Sequence, residues 1–227
     1  MAILITAKNL KKSYGKGKNT VHALGPIDFT VVEGSFTIIL GKSGSGKSTL
    51  LNLLSGLDSP TDGTLVVAGE SLNKLKSGKL AKYRAKIGLI FQFYNLLPNL
   101  STLENVMISS WLKGISVSKQ DATSLLKQFG LEHRINSNIK TLSGGEKQRV
   151  AICRSLINKP AILFCDEPTG ALDTANGQIV KDILVKLNKE GMTIVMVTHN
   201  EEFIPMADKI ITMKDGIIES MNTQISK

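Results

Sequence analysis

Gly41-Lys42-Ser43-Gly44-Ser45-Gly46-Lys47-Ser48 constrains this chain more than any other stretch. Two glycines with four residues between them, then Lys and Ser, form the phosphate-binding loop pattern, which needs a strand before it and a helix after it. Both are legible. Phe36-Thr37-Ile38-Ile39-Leu40 is an apolar run of strand length; Leu50, Leu53, Leu54 and Leu57 then cluster on one side of a helical pattern, with Gly56 placed to end it. Gly44 and Gly46 allow backbone conformations closed to other residues, so N–H groups can face one concavity. A helix starting near Lys47 adds its unpaired N–H groups and the positive end of its dipole. Lys47 can reach the β- and γ-phosphates of a nucleotide, and the Ser48 hydroxyl can ligate Mg²⁺. A plain glycine-rich surface turn accounts for neither flank. The stretch reads as a nucleoside triphosphate site.

Bulk properties narrow the class. With 227 residues the chain holds one large domain or two small ones. Its 42% hydrophobic and 21% charged residues fit a globular protein, and no apolar run approaches the ~18 residues of a membrane span. Met1-Ala2-Ile3-Leu4-Ile5 places apolar residues ahead of the first lysines, the reverse of a secretory signal, so a cytoplasmic location is expected. Cys153 and Cys165 are too few for a disulfide framework or metal cluster and suit small core positions. The formal charge of +9 allows nucleic acid or an anionic membrane surface as partner. The lysines are dispersed, however (Lys11, Lys12, Lys74, Lys76, Lys181, Lys186, Lys189), so a solvated surface explains the charge better.

Along the chain, short β-rich runs come first: Ile3-Leu4-Ile5, Val21 to Leu24, Ile27 to Val32 and Leu65-Val66-Val67. Gly15, Gly17, Gly25-Pro26, Glu33-Gly34 and Asp62-Gly63 break them, which predicts an antiparallel layer beside the phosphate-loop strand. Tyr14 falls in the first loop, an exposed aromatic or a platform for a purine. Leu72 to Tyr83 is loosely helical, and Ile87 to Phe91 is a buried strand ending at Gln92. Residues 93–158 lack strand patterns and carry helices around Thr102–Leu112 and Lys119–Phe129, the first started by Ser101 or Thr102 with Glu104. They read as an inserted helical subdomain within one domain, whose core is 1–92 and 159–227. Strands Ala161–Cys165, Thr193–Val197 and Ile210–Met213 then alternate with helices around Gly177–Lys189 and Glu201–Ala207. Ile179, Ile183, Leu184 and Leu187 mark one side of the longer helix, and Ile217-Ile218 forms a last strand after a turn at Lys214-Asp215-Gly216. This alternation predicts an α/β fold with a mainly parallel sheet covered on both faces.

Two further segments carry chemistry. Ala161 to Cys165 delivers Asp166 and Glu167 at the carboxyl end of a strand, where α/β sheets bind ligands. Asp166 is suited to hold Mg²⁺, and Glu167 can polarise the water that attacks a γ-phosphate. In Thr141-Leu142-Ser143-Gly144-Gly145-Glu146-Lys147-Gln148-Arg149, Ser143 can cap a helix running through Leu156. Gly144 and Gly145 would let a phosphate oxygen approach that helix start, a second anion site. An ordinary capped helix leaves them unexplained, since each weakens a helix by about 1 kcal/mol.

Loop 41–48, Gln92 after a strand, Leu142 to Gln148, the Asp166-Glu167 strand, Ala171-Leu172-Asp173 and His199 stand in the order seen in ATP-binding-cassette (ABC) ATPases, which this chain resembles over nearly its whole length. Phe91-Gln92-Phe93-Tyr94-Asn95-Leu96-Leu97-Pro98 with Leu103-Glu104-Asn105-Val106 is similar to the branch of lipoprotein-release, macrolide-export and antimicrobial-peptide-resistance ATPases. The chain departs from it at Glu146-Lys147, where two glutamines are frequent, at Cys153-Arg154-Ser155 for Ala-Arg-Ala, and at Cys165.

The resemblance implies a phosphate-loop NTPase core with ATP and Mg²⁺ as cofactors. Gly41, Lys42, Ser43, Gly44, Ser45, Gly46, Lys47, Ser48 and Thr49 would cradle the nucleotide, Tyr14 would stack on adenine, and Ser48, Gln92 and Asp166 would serve the metal. Glu167 would be the base, with His199 on the γ-phosphate and Gln92 near the attacking water. Ser143, Gly144 and Gly145 would grip ATP held by a second copy, in a head-to-tail dimer whose sites Asp173 links. The expected partner is an integral-membrane permease, which would place the chain on the inner face of the cell membrane. Its groove is expected between the Gln92 segment and the helical subdomain, where Phe93, Tyr94, Leu96 and Leu97 are either contact or core. A soluble ABC ATPase of DNA repair or chromosome maintenance is the alternative. Those carry a long coiled coil or a DNA-reading insertion between loop and signature, whereas about fifty residues without sustained heptads separate Gln92 from Ser143. No nucleic-acid partner is expected.

Overall fold

A computed structural model describes residues 2–112 and 114–224; Met1, Lys113, residues 225–227 and the Lys74 side chain lie outside it. The strands are β1 (Ile3–Tyr14), β2 (Val21–Val32), β3 (Phe36–Leu40), β4 (Asp62–Val67), β5 (Glu70–Ser71), β6 (Ile87–Ile90), β7 (Ile162–Asp166), β8 (Thr193–Thr198), β9 (Lys209–Lys214) and β10 (Ile217–Thr223). The helices are α1 (Lys47–Leu54), α2 (Ser77–Ala85), α3 (Thr102–Trp111), α4 (Lys119–Gln128), α5 (Gly144–Leu156) and α6 (Thr174–Lys189).

They form an antiparallel sheet, β2-β1-β4-β5, and a second sheet ordered β10-β9-β3-β8-β7-β6, parallel except where β10 meets β9. The fold is thus the α/β architecture expected, a mainly parallel sheet with an antiparallel layer. Alternation along the central strands divides two cores. Ile39, Phe164, Val195 and Val197 face the antiparallel sheet, and α1 is buried between, contributing Leu50, Leu51, Leu53 and Leu54. Ile38, Leu163, Cys165, Ile194 and Met196 face the other way, against Val106 of α3, Leu126 of α4, Ile152 of α5 and Leu184 of α6. Strand β3 therefore enters the phosphate loop clamped on both faces. Cys153 and Cys165 are buried and free.

Several boundaries differ from expectation, each for a long-range reason. Strand β1 continues to Tyr14 because Asn9 takes a left-handed conformation at a register shift between Ala7 and Leu10. The bulge switches the inward parity from Ile5 and Ala7 to Leu10 and Lys12, so alternation fades in the sequence while pairing continues. Tyr14 consequently ends a strand and does not sit in a loop. Gly25-Pro26 likewise lies inside β2, with inward positions moving from Leu24 to Ile27. The Leu72–Tyr83 pattern divides into a 3-10 turn at Leu72–Lys74 and α2, and Glu201–Met206 is 3-10 rather than α-helical. Helix α6 begins three residues before Gly177, since Asp173 caps it by accepting the Asn176 N–H. Leu57 and Ile179 do not join their apolar faces: they are 48% and 44% exposed, and Leu51 and Val180 fill the buried positions instead.

Gly88 on β6 has no room for a side chain. A Cβ there would lie 2.7 Å from Leu163 Cδ1 and 2.9 Å from Ser155 O of α5. Overpacking of this kind costs about 1–3 kcal/mol. Gly88→Ala should lower the urea midpoint accordingly with an unchanged m-value; an unaltered midpoint would show that α5 yields freely.

Candidate functional site

The segments that follow β3, β6, β7 and β8 open on one cavity of about 980 Å³. Lys42, Ser43, Gly44, Gly46, Lys47, Ser48 and Thr49 line it with Gln92, Asp166, Glu167 and His199. Gly46 is the N-cap of α1 at φ +96°, and a Cβ on it would meet Ala23 O at 2.9 Å, so both conformation and space require glycine. It brings no side-chain acceptor, and Leu50 is the first residue of the turn to bond back to Gly46 O. The N–H groups of Lys47, Ser48 and Thr49 are those a helix start leaves without an intrahelical acceptor. Lys47 is buried, its Nζ donating to Gly41 O at 2.7 Å and Lys42 O at 2.9 Å. A cation and a row of N–H donors in one concavity fit a polyphosphate.

Across the cavity stand the two acids. Burial pushes Asp166 above the usual carboxylate range, as does its neighbour Glu167, while Lys47 partly offsets both. A cation placed there would relieve the strain. Glu167 sits at φ +45°, a left-handed backbone conformation that costs energy and gathers at functional sites. Its Oε2 accepts from Thr198 Oγ1 at 2.9 Å, and its Oε1 lies 2.8 Å from His199 Nδ1. Gln92 packs over Gly170, where a Cβ would come within 2.9 Å of Gln92 Nε2.

The second anion segment is built elsewhere. Ser143, Gly144, Gly145 and Asp173 do not line this cavity. Ser143 Oγ accepts the Glu146 N–H at 3.2 Å, and Glu146 Oε2 accepts the Ser143 N–H at 2.8 Å, closing a capping box. Gly145 has a packing reason to be glycine: a Cβ would lie 1.9 Å from Asn176 Oδ1, on the turn that Asp173 caps. An ordinary role in helix packing thus explains one of the two glycines.

Tyr14 does not line the cavity either. Its hydroxyl donates to Asp58 at 2.8 Å, and Lys12 Nζ lies 4.7 Å from the ring centroid. Gly41 and Ser45 form the wall behind the loop, since a Cβ on Gly41 would meet Ser45 Oγ at 2.4 Å. Residues to which the sequence assigned no part in the site also contribute: Val21, His22, Ala23 and the Asp215-Gly216 turn line the cavity, and Thr198 holds Glu167. Arg154 donates to Tyr94 O at 2.7 Å and to Asn95 O, pinning the left-handed turn after Gln92. No local pattern could have revealed these, because the partners are far apart in the chain.

The family profile described as "ABC transporter" matches residues 24–170. The lipoprotein-releasing system ATP-binding protein LolD of Buchnera aphidicola subsp. Schizaphis graminum is 43% identical over 218 residues, covering 94% of this chain and 95% of that protein. The macrolide export ATP-binding/permease protein MacB of Mannheimia succiniciproducens is 44% identical over 95% of this chain, which spans 34% of its length. A solved dimeric ATP-binding cassette in a post-hydrolysis state, bound to ADP and Pi, superposes with a TM-score of 0.90 at 38% identity, covering 99% of this chain and 100% of that one.

Glu146 gives this site an acid-sensitive element. Burial opposes its charge, but the Ser143 N–H, Arg134 and the Ser143 hydroxyl outweigh that and hold its pKa down to about 2. A depressed pKa contributes stability that is complete above the unfolded value of ~4.3 and is lost as pH falls through the folded one. The urea midpoint of wild type should exceed that of Glu146→Gln at pH 6, and the gap should close between about pH 4 and pH 2. A gap constant across that range would mean the carboxylate adds nothing.

Proposed function

Because the chain belongs to the ABC transporter family and is an ATPase cassette of it, we propose that it is the motor of a separate membrane permease, working as a head-to-tail pair of copies around two MgATP. The observation that carries this reading is that the phosphate-loop cavity and the glycine-rich start of α5 are separate. The cavity at 42–49 holds donors for the phosphates, while the capped start of α5 lies outside it. A second copy would bring the Ser143 hydroxyl and the Gly144 and Gly145 N–H groups to the γ-phosphate, with Asp173 at the seam. The dimeric state of the similar solved cassette favours the same arrangement.

Mg²⁺ takes few protein ligands and completes its shell with water and substrate phosphate oxygens. Ser48 and Asp166 would hold Mg²⁺ beside Gln92, and the ion would offset charge on the phosphates. Lys47 exchanges the Gly41 and Lys42 carbonyls for β- and γ-phosphate oxygens. Glu167 takes a proton from water as its oxygen attacks the γ-phosphorus; the bond to the bridging oxygen breaks, and ADP keeps the electron pair. Thr198 and His199 hold the Glu167 carboxylate in place, and the His199 Nε2 is left for the phosphate. The adenine role of Tyr14 requires its ring to meet the base outside the cavity described above.

No helix among the described residues is long and apolar enough to cross a membrane, so in this reading another polypeptide supplies the transport path and the chain lies on the membrane's inner face. Residues 93–158 act as the helical subdomain that meets it. Leu96 packs into the core, whereas Phe93 is 72% and Leu97 45% exposed. Trp111 and Leu112 at the end of α3 are exposed as well. These are the apolar side chains offered to the permease.

The base is tested by Glu167→Gln, which keeps the side chain's size and removes its ability to take a proton. Turnover should fall by ~10²–10⁴ while ATP binding persists. The variant should accumulate as a dimer on size-exclusion chromatography in MgATP but not in MgADP, because cleavage is what dissolves the bridge. Turnover within about threefold of wild type would remove Glu167 from the base role. An inactive variant that stays monomeric would instead count against the two-copy site.

A further inference from the structure

We propose that Arg134 is a positioning residue for the anion site at the start of α5, holding Glu146 in an ion pair so that the helix end still attracts the γ-phosphate of ATP bound to a second copy. The inference rests on the two-copy reading above. A helix N-terminus attracts negative charge, and this chain places its own carboxylate there. Glu146 is 8% exposed, and its Oε2 already occupies the Ser143 N–H. Left alone, its charge would repel an incoming phosphate at close range in a poorly screened site. Arg134, on the 3-10 turn Glu132–Arg134, donates from Nε to Glu146 Oε1 at 2.7 Å, and His133 Nε2 lies 3.5 Å from the same oxygen.

The chain supplies its own controls. Helices α3 and α4 start with the same capping box, from Ser101 with Glu104 and from Ser118 with Asp121. Both acids are exposed, Lys119 and Lys159 act on them only from a distance, and among the described residues neither makes an ion pair like that of Glu146 with Arg134. Capping alone therefore needs no arginine. The ion pair appears at the helix start where a phosphate is proposed to bind.

Steady-state ATPase activity against MgATP concentration tests this in Arg134→Gln, Glu146→Gln and the double variant. Arg134→Gln should raise the half-saturating MgATP about tenfold with kcat within about threefold of wild type. Adding Glu146→Gln should return half-saturation to within about threefold of wild type, since both charges are then gone. Arg134→Lys, which keeps the charge, should stay near wild type. Binding of MgATP to the isolated monomer, measured by fluorescent-nucleotide competition, should be the same in all of them. An unshifted half-saturation in Arg134→Gln, a double variant as impaired as the single one, or weakened monomer binding would each overturn the proposal. Ser143→Asp separates this inference from the reading beneath it, because Asp caps a helix as well as Ser but sets a carboxylate at its tip. If Ser143→Asp stops turnover and Arg134→Gln does not shift half-saturation, only the role of Arg134 fails. If Ser143→Asp turns over normally, the two-copy anion site itself fails.

Discussion

Burial of α1 between the two sheets is the constraint on which the site depends. A helix of 8 residues is too short to hold itself together in water. Leu50, Leu51, Leu53 and Leu54 fix it by packing against both sheets, and the Tyr83 hydroxyl donates to Leu54 O at its far end. The N-terminus is thereby held rigid at the mouth of β3, with its unpaired N–H groups aimed outwards. Side chains at the last turns of α1 thus determine where a phosphate can sit, several residues from any phosphate contact. Lys47 donates to the carbonyls of Gly41 and Lys42, which ties the helix start to the loop before it.

Strand order then decides which chemistry meets that loop. Strand β8 lies between β3 and β7, so Thr198 and His199 emerge between the phosphate loop and the Asp166-Glu167 pair. Glu167 lies against both of them, and its own N–H is taken by Val197 O. Val197 and Thr198 at the end of β8, with His199 just after it, hold Glu167 in a backbone conformation uncommon for a residue other than glycine. That is the form a preorganised base should take: strained locally, and supported by the sheet.

Whatever depends on local spacing was readable from the sequence. The phosphate loop, the acids closing β7, the cap at Ser143, a helix start at Ser101 or Thr102 and the alternation after residue 160 all rest on contacts within a few residues or on strict periodicity. Where pairing over long distances set the outcome, the sequence was silent. The bulge at Asn9 and the parity change at Gly25-Pro26 hid the length of β1 and β2, because alternation broke while the ladder continued. The packing reason for glycine at 145 was hidden as well, because Asn176, which a Cβ there would meet, is carried on another helix. Arg134 and Thr198 went unnoticed for the same reason: each is defined by a partner and not by a motif.

The last link is α5, which joins the Asp173 turn, the segment after Glu167 and the turn after Gln92. Its first turn packs against Asn176, and Asn176 is tied by two hydrogen bonds to Asp173. Further along, the Gln148 side chain donates to Pro168 O, the residue after Glu167. Arg154 in its last turn holds the carbonyls of Tyr94 and Asn95, next to the exposed Phe93. A helix of 13 residues spans about 20 Å and transmits displacement as a rod, because its own hydrogen bonds resist bending. A phosphate that pulls on the start of α5 would therefore move the turn after Gln92, and a load on that turn would be felt at the phosphate. In the proposed mechanism the same rigid element would serve as a sensor at one end and a handle at the other.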